Sequence, residues 1–199
     1  MTEEQRAEQN RAYEEAAGIV KKEMPLDPRA DSAPAGWLLR RKLARALALL
    51  ERVVQLNPAN WSAHWLMGKV HLRLRNSDAA FSCFERAHQA NPAQPEITRE
   101  ASRAAMDIGL HDAALDFAQR AVQMDPNNAG LRANLALACL IAGRIPDAEL
   151  AASQAVAGDP TDEAFRKLKA MAQHFGAKGG TPPTTPAALF EYWRKNGGG

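Results

Sequence analysis

Apolar positions along this chain recur at helical spacing from near its start to near its end. Tyr13, Ala16, Ala17, Val20 and Met24 fall on one stripe, which predicts a helix near Glu3–Met24. The run LLRRKLARALALLERVVQLNP predicts a second helix ending near Leu56. Two arrangements fit this first stretch. In one, a long helix from about Pro34 to Leu56 packs against the earlier helix, and residues 25–33, PLDPRADSA, form an inserted loop. In the other, Pro28, Pro34 and Gly36 leave a short broken hairpin within 27–58. The apolar stripe favours the first. Downstream, helical runs come in pairs, separated by turns at Asn76-Ser77, Gly109-Leu110 and Gly143-Arg144. Phe165, Leu168, Met171 and Ala172 then make one more stripe, with Arg166, Lys167 and Lys169 off it, as suits a helix closing a stack.

The pairs are periodic. Pro58, Pro92, Pro126 and Pro160 stand 34 residues apart, each preceded by Asn or Asp: Asn57, Asn91, Asp125 and Asp159. Proline lacks the amide donor a helix interior needs and pushes the preceding residue out of helical angles. Each such pair therefore marks a break between hairpins. Small residues repeat in the same register: Met67-Gly68, Ala80, Phe84 and Ala87 in residues 61–94; Ala101-Ser102, Ala114, Ala118 and Ala121 in 95–128; Leu135-Ala136, Ala148, Ala152 and Ala155 in 129–162.

This pattern resembles the tetratricopeptide repeat (TPR) family, whose units read W-x2-L-G-x2-Y, then A-x3-F, then P. Met67-Gly68 and Ala80-x3-Phe84 match directly, whereas His64 and His71 replace the Trp and Tyr, and alanines fill the later Phe slots. The resemblance implies an all-α, right-handed superhelical array of antiparallel helix pairs with a C-terminal capping helix. The expected organisation is an N-terminal helix plus a degenerate first repeat with an inserted loop over 1–60, repeats over 61–94, 95–128 and 129–162, a cap over 163–176, and a flexible tail with an aromatic segment over 177–199.

The resemblance also implies that the first helix of each pair lines a concave groove. Trp65, Lys69, Leu72 and Arg73 would face it from one unit, Arg99, Arg103, Met106 and Asp107 from the next, and Ala133, Leu137, Leu140 and Ile141 from the third. Residues four apart share a helix face, which groups the same side chains independently. This stripe runs from cationic to apolar, so the expected ligand is a peptide or partner segment with acidic and apolar residues. The alternative is that the charges are solvated and that Leu137 and Ile141 pack beneath the cap. Some family members clamp a chaperone's terminal carboxylate. Arg99, Arg103, Asn134 and Lys167 fall near such places, but arginines stand where lysine and asparagine are expected.

After residue 177 the composition changes to AKGGTPPTTP, which reads as a linker, followed by AALFEYWRKN. Leu189, Phe190, Tyr192 and Trp193 are too many large apolar groups to leave exposed on a tether, so the segment is expected to dock. Its seat is either the groove of this chain or of a neighbour, or the outer face of the cap helix.

Composition narrows the functional classes. A hydrophobic content of 46% across 199 residues supplies a core, and a net charge of +2 lacks the surplus of a dedicated nucleic-acid binder. The run Arg40, Arg41, Lys42 and Arg45 lies in a helical pattern and reads as solvated or partner-facing surface. Cys83 and Cys139 sit in apolar stretches without metal-like spacing, which suits buried free thiols in a reducing compartment. With no apolar signal segment in MTEEQRAEQNRAYEE and no membrane-length run, a soluble, cytoplasmic protein is expected. The histidines His64, His71, His88, His111 and His174 show no ligand spacing, and no nucleophile–base pattern or phosphate loop occurs. No cofactor, metal or catalysis is expected. Two readings stay open: an adaptor or co-chaperone using the groove, and an assembly protein in which the tail of one chain fills the groove of the next.

Overall fold

The computed structural model describes residues 1–24 and 35–196, and these form ten helices with no strand among them. The inserted loop expected over 25–33 and the terminal residues 197–199 lie outside the described residues. The helices fall into two compact units, the first ending at Pro92 and the second beginning at Ala93.

The first unit holds α1 (Glu3–Glu23), α2 (Trp37–Leu56), α3 (Trp61–Arg73) and α4 (Ser77–Ala90). Helix α1 starts at a capping box, in which Gln5 N–H donates to Thr2 Oγ1 at 3.2 Å and Thr2 N–H donates to Gln5 Oε1 at 2.9 Å. Its stripe of Ala12, Ala16 and Val20 meets Leu43, Ala46, Leu50 and Val53 of α2, and Ala63, Leu66 and Val70 of α3 complete the core. Small residues on α1 let the helices approach closely. Part of the basic run on α2 is used here: Lys42 pairs with Glu23 at 2.8 Å, Arg45 pairs with Glu15, and Arg40 donates to the Ala35 carbonyl oxygen at 2.9 Å. Such exposed pairs add little stability, but they fix which faces of α1 and α2 meet.

The second unit holds α5 (Pro95–Asp107), α6 (His111–Met124), α7 (Ala129–Ile141), α8 (Ile145–Gly158), α9 (Glu163–Lys178) and α10 (Pro186–Asn196). Helices pair as α5 with α6 and α7 with α8. Helix α9 packs on α8 and α7, while α5 also touches α7, so the first helices α5, α7 and α9 follow one another along one side of this unit.

The repeat is written into the caps. Asn57, Asn91, Asp125 and Asp159, the residues before the periodic prolines, are the C-caps of α2, α4, α6 and α8, and each backbone N–H closes on the carbonyl four residues back. Asn60, Asn128 and Asp162 cap α3, α7 and α9 by accepting from backbone amides of the first turn. Gln94 holds the equivalent place before α5 but makes no side-chain cap, and Pro95 follows it at the first helical position. Inside the hairpins a left-handed residue reverses the chain at Arg75 (φ 60°), Gly109 (φ 76°) and Gly143 (φ 73°).

Hairpin packing is close. Gly68 lies against the ring of fully buried Phe84, so near that a β-carbon there would sit 2.6 Å from Phe84 Cε1. In the next two units the same positions hold Ser102 with Ala118 and Ala136 with Ala152, all fully buried. A large ring is matched by no side chain, and a small one by a slightly larger partner.

Candidate interaction face

Each unit presents a row of first helices. In the first unit, Trp65, Lys69, Leu72 and Arg73 of α3 are all half-buried. The ring of Trp65 packs on the core, and Lys69 Nζ stands 5.9 Å from its centroid. Trp65 is thus part of the packing as much as a free anchor. Trp65 Nε1 is enclosed and makes no hydrogen bond.

In the second unit the sequence-based expectation of groove-facing residues fails at four positions, Met106, Asn134, Leu140 and Ile141. Met106 is fully buried and Ile141 is 2% exposed, because α5 and α7 are covered by their partner helices, by each other and by α10. Asn134 is buried, and its Nδ2 donates to Ser102 Oγ at 3.0 Å, while Ser102 Oγ donates to the Ala114 carbonyl oxygen at 2.8 Å. Asn134 therefore ties α7 to α5, and its burial withdraws the amide from the surface where a carboxylate clamp needs it. Its repeat position is an inward one, since the equivalent Leu66 and Glu100 are buried as well. Leu137 and Ala133 stay half-buried at the surface, Leu140 is fully buried, and Asp107 is exposed.

Glu100 is the residue that sequence reasoning overlooked. It is 3% exposed, 3.3 Å from Arg99 Nη2 and 3.6 Å from Arg103 Nη1, and Arg99 also reaches Glu96 at 3.7 Å. A carboxylate can be buried at tolerable cost when guanidinium groups flank it. The two arginines offered as the cationic end of the groove are thus already engaged, although Arg103 keeps 57% of its side chain exposed. Spacing could have revealed this, since Glu100 and Arg103 are three apart on a helix.

The aromatic tail segment is helical. Helix α10 lies on α5 and α7, and its aromatic side chains reach α9. Leu189 is fully buried. Tyr192 stacks at 5.3 Å on Phe175, and His174 meets Tyr192 edge-on at 6.1 Å and Trp193 at 5.5 Å. His174 Nε2 stands 3.5 Å from the Tyr192 hydroxyl. Leu189, Tyr192 and Trp193 are spaced i, i+3, i+4 and share the inward face. Phe190 does not dock: it is 43% exposed, with Lys167 Nζ 5.8 Å from its ring centroid. The segment before the helix, read as a plain linker, is anchored too. Pro182 is buried, and His111 Nε2 donates to the Thr184 carbonyl oxygen at 2.8 Å.

The remaining chemistry-bearing groups are quiet. Cys83 and Cys139 are free and buried; burial raises both thiols, Cys139 to about 11 with the charge of Asp147 adding to it, so neither is a ready thiolate. His64 Nε2 donates to the Pro58 carbonyl oxygen at 2.9 Å, a core histidine rather than a ligand. Among the described residues no group of His, Cys, Asp and Glu could hold a metal ion, and no helix is long and apolar enough to cross a membrane.

Tetratricopeptide repeat family models match residues 40–95 and 66–129, and residues 105–172, so that together they run from 40 to 172. No curated protein sequence matches the chain. Solved structures with the same fold include a MamA protein at TM-score 0.70 and 15% identity, covering 94% of this chain and 89% of that one. YrrB, a TPR protein with an unusual peptide-binding site, is similar at TM-score 0.62 and 17% identity, covering 92% of this chain and 93% of that one. The first TPR of Spaghetti (RPAP3), bound to the HSP90 peptide SRMEEVD, is similar at TM-score 0.56 and 13% identity, covering 59% of this chain and 93% of that one.

Proposed function

Because this chain belongs to the tetratricopeptide repeat family, we propose that it is a protein-interaction module whose second unit receives a partner segment on the face of α5, α7 and α9. The observation that carries the reading is that this face already holds a peptide segment, the chain's own α10, with Leu189 fully enclosed. A surface that accepts a helix with one aliphatic and two aromatic contacts is chemically suited to a partner of the same kind. Peptide binding by YrrB and by the RPAP3 repeat lends support from similar folds.

The apolar part of the expected ligand is better supported than the acidic part. Arg99 is engaged by Glu96 and Glu100, so of these two arginines Arg103, half free of the pair, is the one that extends a cation towards solvent. A chaperone-tail clamp is disfavoured on the same grounds. Asn134 is buried against Ser102, and Lys167 stands over Phe190. The adaptor role, without a carboxylate clamp, is the reading we adopt.

Affinity capture from a lysate of the source cells tests it, comparing wild type with Leu137→Glu and Arg103→Glu variants of matched helical content. One protein retained by wild type and lost from both variants is expected. Retention of the same protein by both variants would reject this face as the binding surface.

A further inference from the structure

Helix α10 is attached to the body more loosely than any other helix of the second unit. Leu189 is its one buried residue, whereas α7 buries Leu131, Asn134, Ala136, Ala138, Cys139, Leu140 and Ile141. It follows a break at Gly179, whose left-handed backbone (φ 65°) ends α9, and a Gly/Pro/Thr stretch to Thr185. Its outward side, Glu191, Arg194 and Lys195, is charged and exposed, and Glu191 pairs with Lys195 at 2.7 Å. It is an amphipathic helix on a short tether, seated by three side chains.

We infer that α10 is an internal stand-in for the external ligand: the partner presents an amphipathic helix with an aliphatic residue and an aromatic pair at i, i+3, i+4, and binds by displacing α10. This rests on the reading of the α5–α7–α9 face as the partner surface. The seat specifies a helix because Leu189, Tyr192 and Trp193 converge on it only at helical spacing; an extended strand would send alternate residues away from it. The aromatic part of the seat is made by Phe175 and His174 of α9, the first tilted 33° against the Tyr192 ring and the second edge-on to Tyr192 and Trp193.

The tether decides who occupies the seat when no partner is present. A short link holds its own helix at an effective concentration on the order of millimolar. A second copy of the chain at micromolar concentration therefore loses to the attached α10. An external helix with the same contacts is weakened by the factor 1 + Ceff/Kd, which is about ten-fold or more for any Kd below about 0.1 mM.

The test uses the full-length chain and a dye-labelled synthetic peptide of residues 184–196, followed by fluorescence anisotropy. Leu189→Asp in the protein unseats α10, and Trp193→Ala is a milder variant should the first perturb folding. The expected result is that the peptide binds either variant at least ten-fold more tightly than it binds wild type. A peptide carrying the same Leu189→Asp change is expected to bind none of them, and adding Leu137→Glu to the unseated protein is expected to abolish binding. Equal affinity for wild type and variants, or no affinity for a variant of wild-type helicity, would overturn the inference. So would a concentration-dependent dimer of wild type that Leu189→Asp abolishes, which would place α10 in a second copy instead. Should the peptide fail while Leu137→Glu still abolishes partner capture, the face survives as a binding surface and only the helical-displacement inference falls.

Discussion

Replacing Gly68 by alanine puts a methyl group 2.6 Å from Phe84 Cε1 and 2.8 Å from its Cδ1 and Cζ, inside the contact distance of carbon atoms. Phe84 is fully buried and cannot swing into solvent. Overpacking of this kind costs about 1–3 kcal/mol, and the better helix propensity of alanine returns about 1 kcal/mol, leaving a net loss of about 1 kcal/mol. Phe84→Ala alone removes a buried ring and costs about 3–5 kcal/mol. In that background the methyl on residue 68 no longer clashes. It fills part of the void, contributing about 0.8 kcal/mol, and keeps the helix gain of about 1 kcal/mol. Gly68→Ala should therefore destabilise the wild type and stabilise the Phe84→Ala protein, a change of sign with a coupling of about 2–3 kcal/mol. The double variant recreates the alanine pair found at Ala136 and Ala152. Urea unfolding followed by far-ultraviolet circular dichroism measures the four midpoints. Additivity within about 0.5 kcal/mol would refute the idea that ring and glycine are matched in volume.

Three further outcomes follow from single positions. Arg75 holds a left-handed angle that Gly109 and Gly143 supply in the next units, so Arg75→Gly should raise the melting temperature by a few degrees, about 0.5–1 kcal/mol after the entropy of a freer unfolded chain is subtracted; a lower melting temperature would show that the arginine's own contacts outweigh the strain. Gln94→Asn should restore the missing cap of α5 and add about 1 kcal/mol, read as a higher urea midpoint; no gain would mean that Pro95 already organises that turn. Burial lowers the His71 pKa below its ordinary 6.5, with the charge of Glu51 pulling it partly back. The unfolded chain then takes up the proton first, so stability is lost as pH falls through 6.5 towards the lower folded value, and His71→Tyr should shrink the drop in melting temperature between neutral pH and pH 5.

The fold was legible because its signals are local and repeated. An Asn/Asp-Pro pair every 34 residues says where helices stop, and the same residues serve as C-caps in the structure. Apolar stripes on α1 and α2 likewise name their own partners. What sequence left hidden is pairing that crosses from one helix to the next. That Asn134 donates its amide to Ser102 depends on two residues 32 positions apart, and nothing in either helix alone announces it. That Arg45 and Lys42 face acids on α1, rather than a partner, depends on how two helices are rotated about their axes.

The interaction face shows the same division, and it bears on how the stripe should be read. Family geometry selects residues by helix position, yet burial at a position depends on what covers it. Ile141 shares its repeat position with Arg73 and Asp107, but α7 carries α8, α9 and α10 around it, and a side chain that is open elsewhere is closed there. Glu100 acts in the opposite sense: by sitting under Arg99 and Arg103 it converts two apparent ligand cations into parts of an internal ion cluster. Removing the acid should then free positive charge at the face. Glu100→Gln would leave the arginines without their buried counterion while keeping an amide to accept one hydrogen bond, so the variant should bind an acidic version of the α10 helix more tightly than wild type does and show a steeper loss of that affinity with added salt. Equal salt dependence in the two proteins would mean that the cations were solvated from the start, and that the face selects its ligand by shape and apolar contact alone.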